Sequence, residues 1–273
     1  CMPDAVVIAE TREDVAAVLR IAEQHDVPVT PRAGGSGRTG GAVPVAGGIV
    51  LATHKLDKVV DVDRENLVAV VQPGVVLGAF HSLVESENLF YAPDPNSADL
   101  CMIGGNVAEN AGGPRAFKYG STRDHVLGLE ACFMGGKTMR VGKRTVKGVT
   151  GYDVTALLVG SEGTLGVFTE ITLRLLPRPS QVATLLALYT DVRAAGASVS
   201  RLIAAGLVPR CIEMMDAATL GAVRAAGNPI DERAGAMLLI EVDGEDAESQ
   251  LERLGNALGD AEGTLDLVVA QDS

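Results

Sequence analysis

The residues best placed to do chemistry in this chain are glycines, which gather in clusters at residues 34–41, 104–113 and 160–166. Glycine lets a backbone approach a ligand where a side chain would block it. The middle cluster lies within residues 93–120, a stretch rich in Gly, Pro and Asn that predicts a long loop with no element of its own. A loop of that length with apolar residues to pack is typically functional, so we interpret it as backbone lying against a large ligand. A purely structural loop is the alternative.

The first cluster matches the dinucleotide-binding fingerprint in its letters but not in its context. Gly35, Gly37 and Gly40 have the required spacing, and Asp61 follows about 20 residues later. A Rossmann loop must open a helix, whereas residues 42–48 contain a proline and two further glycines and lead into a strand. The sequence therefore excludes a Rossmann site and favours a diphosphate held by backbone amides in a turn.

Composition limits the classes of function. A net charge of −12 and an aromatic content of 3% argue against nucleic acid as a partner. No apolar run approaches the ~20 residues that cross a bilayer, so we expect a cytoplasmic protein with no transmembrane segment. The cysteines lack paired spacing, which predicts buried thiols and neither a disulfide frame nor a zinc site. We predict no metal ligands in this sequence.

Periodicity and turn signals predict an α+β fold in two domains, residues 1–180 and 181–273. Thr11 and Asp14 have the spacing of a helix capping box, which follows a strand expected to be buried over 5–9. The other expected strands cover 27–30, 49–52, 58–63, 67–72, 126–133, 138–141, 167–176, 184–189, 208–214, 236–242 and 265–270. The other expected helices cover 76–87, 152–159, 192–205, 217–226 and 245–258.

Three longer phrases carry a resemblance to a known family. They are PRAGGSGRTGGAVP from Pro31, IGGNVAENAGGPRAFKYGSTRDHVLGLE from Ile103 and GYDVTALLVGSEGTLGVFTEITLRLLPRP from Gly151. They resemble the FAD-binding domain of the p-cresol methylhydroxylase (PCMH)/vanillyl-alcohol oxidase superfamily, and within it the family of glycolate oxidase flavin subunits and D-lactate dehydrogenases. The resemblance implies a two-subdomain PCMH-type FAD-binding domain, followed after residue 180 by the first part of a ferredoxin-like substrate cap.

The resemblance also implies the cofactor and its binding residues. The first cluster would bind the diphosphate of FAD, the second would run beside the cofactor, and the third would lie near its ribose and adenine. Some relatives tether the flavin through a histidine where this chain has Ser36, and a hydroxyl cannot form that bond, so we expect non-covalent FAD. The expected cofactor-binding residues are Arg32, Gly34, Gly35, Ser36, Gly37, Arg38, Gly40, Pro93, Asp94, Ser97, Gly104, Gly105, Asn106, Asn110, Gly113, Gly120, Thr122, Glu162, Gly163 and Val167.

The chemistry of the resembled family is oxidation of a 2-hydroxy acid, in which a base takes the hydroxyl proton as hydride leaves for the flavin. The histidines and glutamate that serve relatives as base and metal ligands resemble nothing here, so we expect the catalytic residues beyond Ser273. His125 is a weak candidate, and a structural hydrogen bond is the stronger interpretation of it. Arg115, Lys118 and Arg123 are the other nearby groups that could hold a substrate carboxylate.

Three functions stay open. The first is a 2-hydroxy-acid dehydrogenase of the glycolate or D-lactate type, with an iron–sulfur or second flavin subunit as electron acceptor. That partner would hold the protein at the periphery of the inner membrane. The second is an accessory subunit that carries FAD without substrate chemistry of its own, and the third is an oxygen-using oxidase of the same fold. His54 and His81 are isolated, so we expect them to be structural or at the surface.

Overall fold

The computed structural model describes residues 1–145 and 147–270, and the chain divides into two compact units. Unit 1 comprises Cys1–Gly113 and Gly120–Arg178, and unit 2 comprises Pro114–Tyr119 and Pro179–Ser273. Val146, in the connector between the predicted strand at 138–141 and the helix at 152–159, lies outside the described residues, as do the last three residues of the chain.

The helices and strands alternate regularly only after residue 178 of the described chain. Up to residue 178 they are β1 (Ala5–Ile8), α1 (Arg12–Gln24), β2 (Val29–Arg32), β3 (Ile49–Ala52), β4 (Val59–Asp63), β5 (Val68–Val71), α2 (Leu77–Ser86), β6 (Leu89–Phe90), α3 (Ile103–Glu109), α4 (Ala116–Tyr119), α5 (Thr122–His125), β7 (Val126–Phe133), β8 (Lys137–Gly142), α6 (Val154–Leu158), β9 (Val167–Arg174) and β10 (Leu176–Pro177). After it they are β11 (Val182–Tyr189), α7 (Val192–Ala204), β12 (Cys211–Asp216), α8 (Ala217–Ala225), β13 (Ala236–Asp243), α9 (Ala247–Gly259) and β14 (Thr264–Val269).

Unit 1 is built on two larger sheets. Parallel strands in the order β1-β3-β2 form the first, and antiparallel strands in the order β4-β5-β9-β7-β8 form the second. The short pair β10-β6 is separate. The two hairpins predicted from sequence, β4-β5 and β7-β8, are confirmed, and residues 42–48 form turns rather than a helix.

The capping box that opens α1 is confirmed. Asp14 N donates to Thr11 Oγ1 at 3.1 Å, and Thr11 N donates to Asp14 Oδ2 at 2.8 Å, so two amides at the start of the helix are satisfied. The prediction that β1 is buried is wrong. Val6 and Ile8 are exposed because they share one face of the strand, whereas Val7 on the opposite face packs on the core and Ala9, just after β1, is fully buried.

The main core of unit 1 lies where α2 and α3 pack on the antiparallel sheet. Phe80 from α2, Ile103 and Val107 from α3, and Ile171 from β9 are all fully buried there. Burial of such a side chain stabilises the fold by roughly 1.5–3 kcal/mol. The same packing fixes the position of α3, which carries Gly104 and Gly105 of the second glycine cluster.

Residues 93–120 are not the element-free loop that the sequence predicted. They contain α3 and α4, because Ile103 and Val107 supply a buried helical face that outweighs the poor helix propensity of two glycines. The helix α3 ends at Asn110, whose φ of 53° is the left-handed conformation usual after a helix.

Unit 2 is a ferredoxin-like antiparallel sheet in the order β12-β13-β11-β14 with helices packed against it. Its core is formed by Leu238 and Ile240 of β13 with Leu202 of α7 and Leu258 of α9, all fully buried. The strand predicted over 208–214 begins three residues later, after a proline that has no amide hydrogen to donate to the sheet.

Candidate functional site

The second and third glycine clusters meet along α3. The start of α3 is fixed by two backbone bonds, Ile103 N to Val75 O at 2.9 Å and Gly104 N to Pro73 O at 2.8 Å. Its far end accepts hydrogen bonds from the third cluster, where Gly160 N donates to Val107 O at 3.0 Å. Glu162 N similarly donates to Ala108 O at 2.8 Å, so the third cluster is anchored to the helix over two residues.

The first cluster packs on the same region with its backbone. A Cβ added at Gly34 would lie 2.8 Å from Leu100 O and 3.3 Å from Met102 N, so only glycine allows this approach to the chain entering α3. Gly163 of the third cluster faces Pro31 just before the first, where a Cβ would lie 2.5 Å from Pro31 Cγ. The structure therefore brings all three predicted clusters together within unit 1.

The glycines of these clusters fall into two groups. Gly34, Gly104 and Gly113 lack space for a Cβ, which at Gly104 would lie 2.5 Å from Pro73 Cβ, so packing alone explains them. Gly105 and Gly112 are different, because no heavy atom of the described residues lies within 4 Å of a Cβ built there. Neither has a positive φ that would require glycine. Open space at these two glycines is what approach of a ligand to the backbone would need.

Asn106 supplies a buried polar group beside the open glycine of α3. The residue is 4% exposed, and among the described residues Asn106 Nδ2 has no hydrogen-bond acceptor. Leaving a buried amide unsatisfied costs about 1–3 kcal/mol, which a ligand acceptor would recover. The predicted binding residue Asn106 thus fits a cofactor with polar acceptors.

Two carboxylates also lie at this convergence. The Glu109 carboxylate packs against Gly37 of the first cluster, at the place a Cβ would occupy, and Glu162 packs against Gly41. Burial raises the pKa of the Glu109 carboxyl, and the negative charge of Glu162 raises it further. Sequence reasoning assigned Glu162 to the site and missed Glu109, whose contact with a loop about 70 residues away leaves no local signal.

The predicted residues Asn110 and Thr122 are engaged in holding the chain around α5. Asn110 Oδ1 accepts from Ser121 Oγ at 2.9 Å and from Arg123 N at 2.8 Å. The fully buried Thr122 donates through Oγ1 to Ala111 O at 2.7 Å. These contacts explain both side chains within the protein itself.

Arg123, considered from sequence as a group for a substrate carboxylate, caps a helix instead. Its guanidinium donates to Ala156 O at 2.7 Å and to Val159 O at 2.8 Å, which satisfies carbonyls at the end of α6. Lys118, considered for the same role, is paired with Asp243 within unit 2.

His125 lies in the core of unit 1. It is 3% exposed, and its ring meets the ring of Tyr91 edge-on at 5.8 Å. Tyr91 in turn meets Phe80 edge-on at 5.4 Å, and burial raises the pKa of the Tyr91 phenol. This aromatic packing supports the structural interpretation of His125. His81 is also structural, because its Nε2 lies 3.0 Å from Pro93 O and so fixes the start of the 93–97 segment.

The remaining residues predicted to bind the cofactor lie in several parts of unit 1. Arg32 Nη1 donates to Ala42 O at 3.4 Å, and its side chain lies beside Gly35, whose φ is 66°. Val167 is buried in the core beneath α1, which explains its apolar character without a ligand. The other positions not yet placed are the exposed Ser36, Arg38 and Gly40 of the first cluster, Asp94 against Gly113, Ser97 at the turn before α3, and Gly120 with a φ of 81°.

The described residues lack two other kinds of functional feature. They contain no group of three or more His, Cys, Asp or Glu side chains that could hold a metal ion. Within the same residues no helix has both the length and the apolar character needed to cross a membrane.

Comparisons with known protein families identify the family of this chain. The chain matches the model described as "FAD binding domain" over residues 3–142 and the model described as "FAD linked oxidases, C-terminal domain" over residues 178–273. Because the first match covers half of the chain, the protein belongs to the family of FAD-binding domain flavoproteins, and FAD is its cofactor.

The chain is also similar to individual proteins whose names state an activity. The chain is 44% identical to the glycolate oxidase subunit GlcD of Bacillus subtilis, with 93% of this chain and 54% of the relative covered. It is 34% identical to a D-lactate dehydrogenase of Anaerostipes hadrus, with 98% and 58% covered. The chain thus spans little more than half the length of these curated relatives. The fold matches that of a solved structure of p-cresol methylhydroxylase, determined with substrate bound. The match has a TM-score of 0.77 and 19% identity, and it covers 97% of this chain and 57% of that chain.

Adjacent glycines in α3 should respond oppositely to a methyl group. We expect Gly104→Ala to destabilise the protein by about 1–3 kcal/mol, because its Cβ overlaps Pro73. Gly105→Ala should be neutral or stabilising by up to about 1 kcal/mol, because its Cβ enters open space and alanine favours a helix. Urea unfolding of the two variants and the parent measures the difference, and equal destabilisation by both would contradict the division of the glycines.

Removing the Glu109 charge should stabilise the protein near neutral pH. The pKa of Glu109 is raised in the fold, so its contribution to stability is present below the ordinary pKa of 4.5 and is lost as the pH rises through the raised value. Glu109→Gln should therefore raise the free energy of unfolding near pH 7 by about 0.5 kcal/mol or less, because solvent screens a partly exposed charge. The gain should vanish near pH 4. The control is Glu65→Gln in the exposed β4-β5 turn, for which we expect no gain at either pH.

Proposed function

We propose that this chain is the FAD-binding part of an oxidoreductase that converts a 2-hydroxy acid, of the glycolate or D-lactate type, to the 2-oxo acid. The observation that carries the proposal is the convergence of three glycine clusters on α3, with open space at Gly105 and Gly112. The names of its relatives, glycolate oxidase subunit and D-lactate dehydrogenase, support the substrate class.

We assign the binding of the cofactor chiefly to backbone groups. Amides of the first cluster would hold the diphosphate, since a run of amides in turns binds an anion without needing a cation. The chain beside Gly105 and Gly112 would lie against the flavin portion, and Asn106 Nδ2 would donate to one of its acceptors. Ser36 gives no histidine for a covalent link, so the attachment is non-covalent.

The hydroxyl and carboxylate groups of the 2-hydroxy acid would need binding partners besides the backbone groups that hold FAD. Bound FAD supplies the acceptor for the hydride that leaves C2 of the acid. The protein must supply a base near the hydroxyl and a cation for the carboxylate. Arg123 and His125 are engaged in capping and core packing, and Lys118 is paired with Asp243, so we assign the base to none of them. We propose that residues other than these three supply the base.

Electron transfer out of the flavin would need a partner. The relative in Bacillus subtilis is named as a subunit, which supports assembly with other chains. We propose an iron–sulfur or second flavin subunit as the acceptor, and a peripheral location at the inner membrane through that partner. Oxygen separates this proposal from an oxygen-using oxidase. In an oxidase, oxygen alone should reoxidise the reduced flavin rapidly, whereas a dehydrogenase of this kind should need its partner subunit.

Cofactor binding is tested most directly at Gly105. The parent protein should bind FAD in preference to FMN or NAD, with a flavin band that leaves the protein on acid precipitation. Gly105→Val should remove most of the bound FAD while preserving the far-UV circular dichroism, because the valine side chain enters the open space. The matched control is Gly196→Val in α7, where a Cβ likewise meets no described heavy atom within 4 Å and FAD content should be unchanged.

Two results would contradict this prediction. Full FAD content in the Gly105→Val protein would remove α3 from the site. Flavin that stays with the acid-denatured chain would show a covalent link and refute the assignment based on Ser36.

Substrate oxidation is tested by anaerobic bleaching of the flavin band. We expect the 273-residue chain loaded with FAD not to be bleached at an enzymatic rate by glycolate or D-lactate, because Arg123, Lys118 and His125 are otherwise engaged. The same domain in a protein of its relatives' length should be bleached rapidly. Rapid bleaching of the short chain would show that its own residues suffice, and no bleaching of either would favour an accessory FAD-carrying subunit.

A further inference from the structure

The strongest polar cluster outside the glycine convergence surrounds Asp243, the last residue of β13 in unit 2. Its side chain is completely buried. Lys118 Nζ forms an ion pair with Asp243 Oδ1, and Tyr119 Oη donates to Asp243 Oδ2 at 2.7 Å. One buried carboxylate thus holds two neighbouring residues that lie more than 120 positions earlier in the chain.

A second cation completes the cluster. Arg210, which precedes β12 and is 8% exposed at its side chain, places Nη1 3.6 Å from Asp243 Oδ2. Its Nε lies 3.5 Å from Glu241 Oε2, and its backbone amide donates to Glu241 O at 2.7 Å. Arg210 therefore has a second acidic partner, Glu241, in addition to Asp243. The ion pair of Lys118 is with Asp243.

The segment Pro114–Tyr119 needs such an anchor. Its only helix, α4, has four residues, which is too short to be stable by itself. Phe117 is 44% exposed, and none of the α4 residues is buried, so apolar burial contributes little to the order of the segment. Lys118 and Tyr119 both make side-chain contacts with Asp243, which ties the end of α4 to β13.

We propose that Asp243 is a positioning residue for the cofactor site, because it fixes the segment Pro114–Tyr119 and through the chain its two neighbours, Gly113 and Gly120. This inference rests on the proposed function, since Gly113 and Gly120 are among the cofactor-binding residues expected from the sequence, and Gly112, proposed to face the flavin, directly precedes Gly113. A buried ion pair contributes little net stability against its desolvation, but it specifies one arrangement of the groups it joins. The role inferred for Asp243 is therefore positional.

The substitution Asp243→Asn separates the anchor from the rest of the fold. It keeps the shape of the side chain and an oxygen that can accept from Tyr119. Lys118 is 29% exposed at its side chain and can turn to water, and Arg210 retains Glu241, so no buried charge is left alone. The expected result is a folded protein with a released segment.

The test combines hydrogen exchange of the peptide containing residues 114–119 with FAD affinity, both measured on the whole chain. In Asp243→Asn we expect exchange of this peptide to rise at least about tenfold, as for a locally opened segment. FAD should dissociate with a Kd raised about tenfold, because the residues flanking the segment are no longer held for binding. Tyr119→Phe, which removes one bond and keeps the ion pair, should show smaller changes of the same sign.

The matched control is a substitution that removes the charge of a different buried carboxylate, Glu130. Glu130 of β7, 5% exposed, accepts from Arg140 Nε at 2.7 Å and from Thr169 Oγ1 at 2.9 Å, and it has no recorded bond to the segment among the described residues. Glu130→Gln should leave exchange of residues 114–119 and the FAD Kd unchanged. A rise in both would show that any buried charge produces the effect and would overturn the role of Asp243.

The outcomes separate the inference from the function on which it rests. Unchanged exchange at residues 114–119 in folded Asp243→Asn overturns the anchor, and raised exchange with an unchanged FAD Kd overturns its role in positioning. Failure of the parent protein to bind FAD refutes the proposed function and with it the positioning role, while the exchange result still decides the anchor. If Asp243→Asn does not fold, Lys118→Met carries the same test, because Asp243 then keeps Tyr119 and Arg210.

Discussion

The fold of unit 1 depends on the close approach of backbone to backbone at α3. Gly104 lies against Pro73 with no room for a Cβ, and its amide bonds the Pro73 carbonyl at 2.8 Å. The other end of α3 accepts amides from the third cluster, so one helix of seven residues joins segments that are far apart in sequence. Close packing of this kind tolerates little expansion, which makes the glycines that permit it as important as the buried core.

The same residue type therefore serves two purposes that sequence cannot separate. Gly34 and Gly104 allow the chain to pack on itself, whereas Gly105 and Gly112 face space that the described residues leave open. Gly34 belongs to the first cluster and the other three to the second, and in the sequence nothing distinguishes their chemistry. Only the positions of atoms distant along the chain, such as Leu100 O and Pro73 Cβ, distinguish a packing glycine from one available to a ligand.

What the sequence predicts well is local. The bonds between Thr11 and Asp14, the β7-β8 hairpin and the α2 helix follow from signals within a few residues, and all are found. What it misses depends on distant contacts. The exposure of Val6 and Ile8 depends on which face of β1 other elements cover, and the contact of Glu109 with Gly37 brings together residues about 70 positions apart.

The roles of Arg123 and Lys118 also depend on contacts that the sequence does not reveal. Arg123 and Lys118 lie close in sequence to the glycine-rich segment, and this suggested a role in binding an anion. Arg123 satisfies carbonyls at the end of α6, and Lys118 neutralises a buried carboxylate in unit 2. A protein with a net charge of −12 can still hold an anionic diphosphate, because at physiological ionic strength charges are screened beyond about 8 Å. At contact distance the oriented amides of a turn determine the local field. The proposed site of backbone amides would need neither basic side chain, and both Arg123 and Lys118 make structural contacts in this fold.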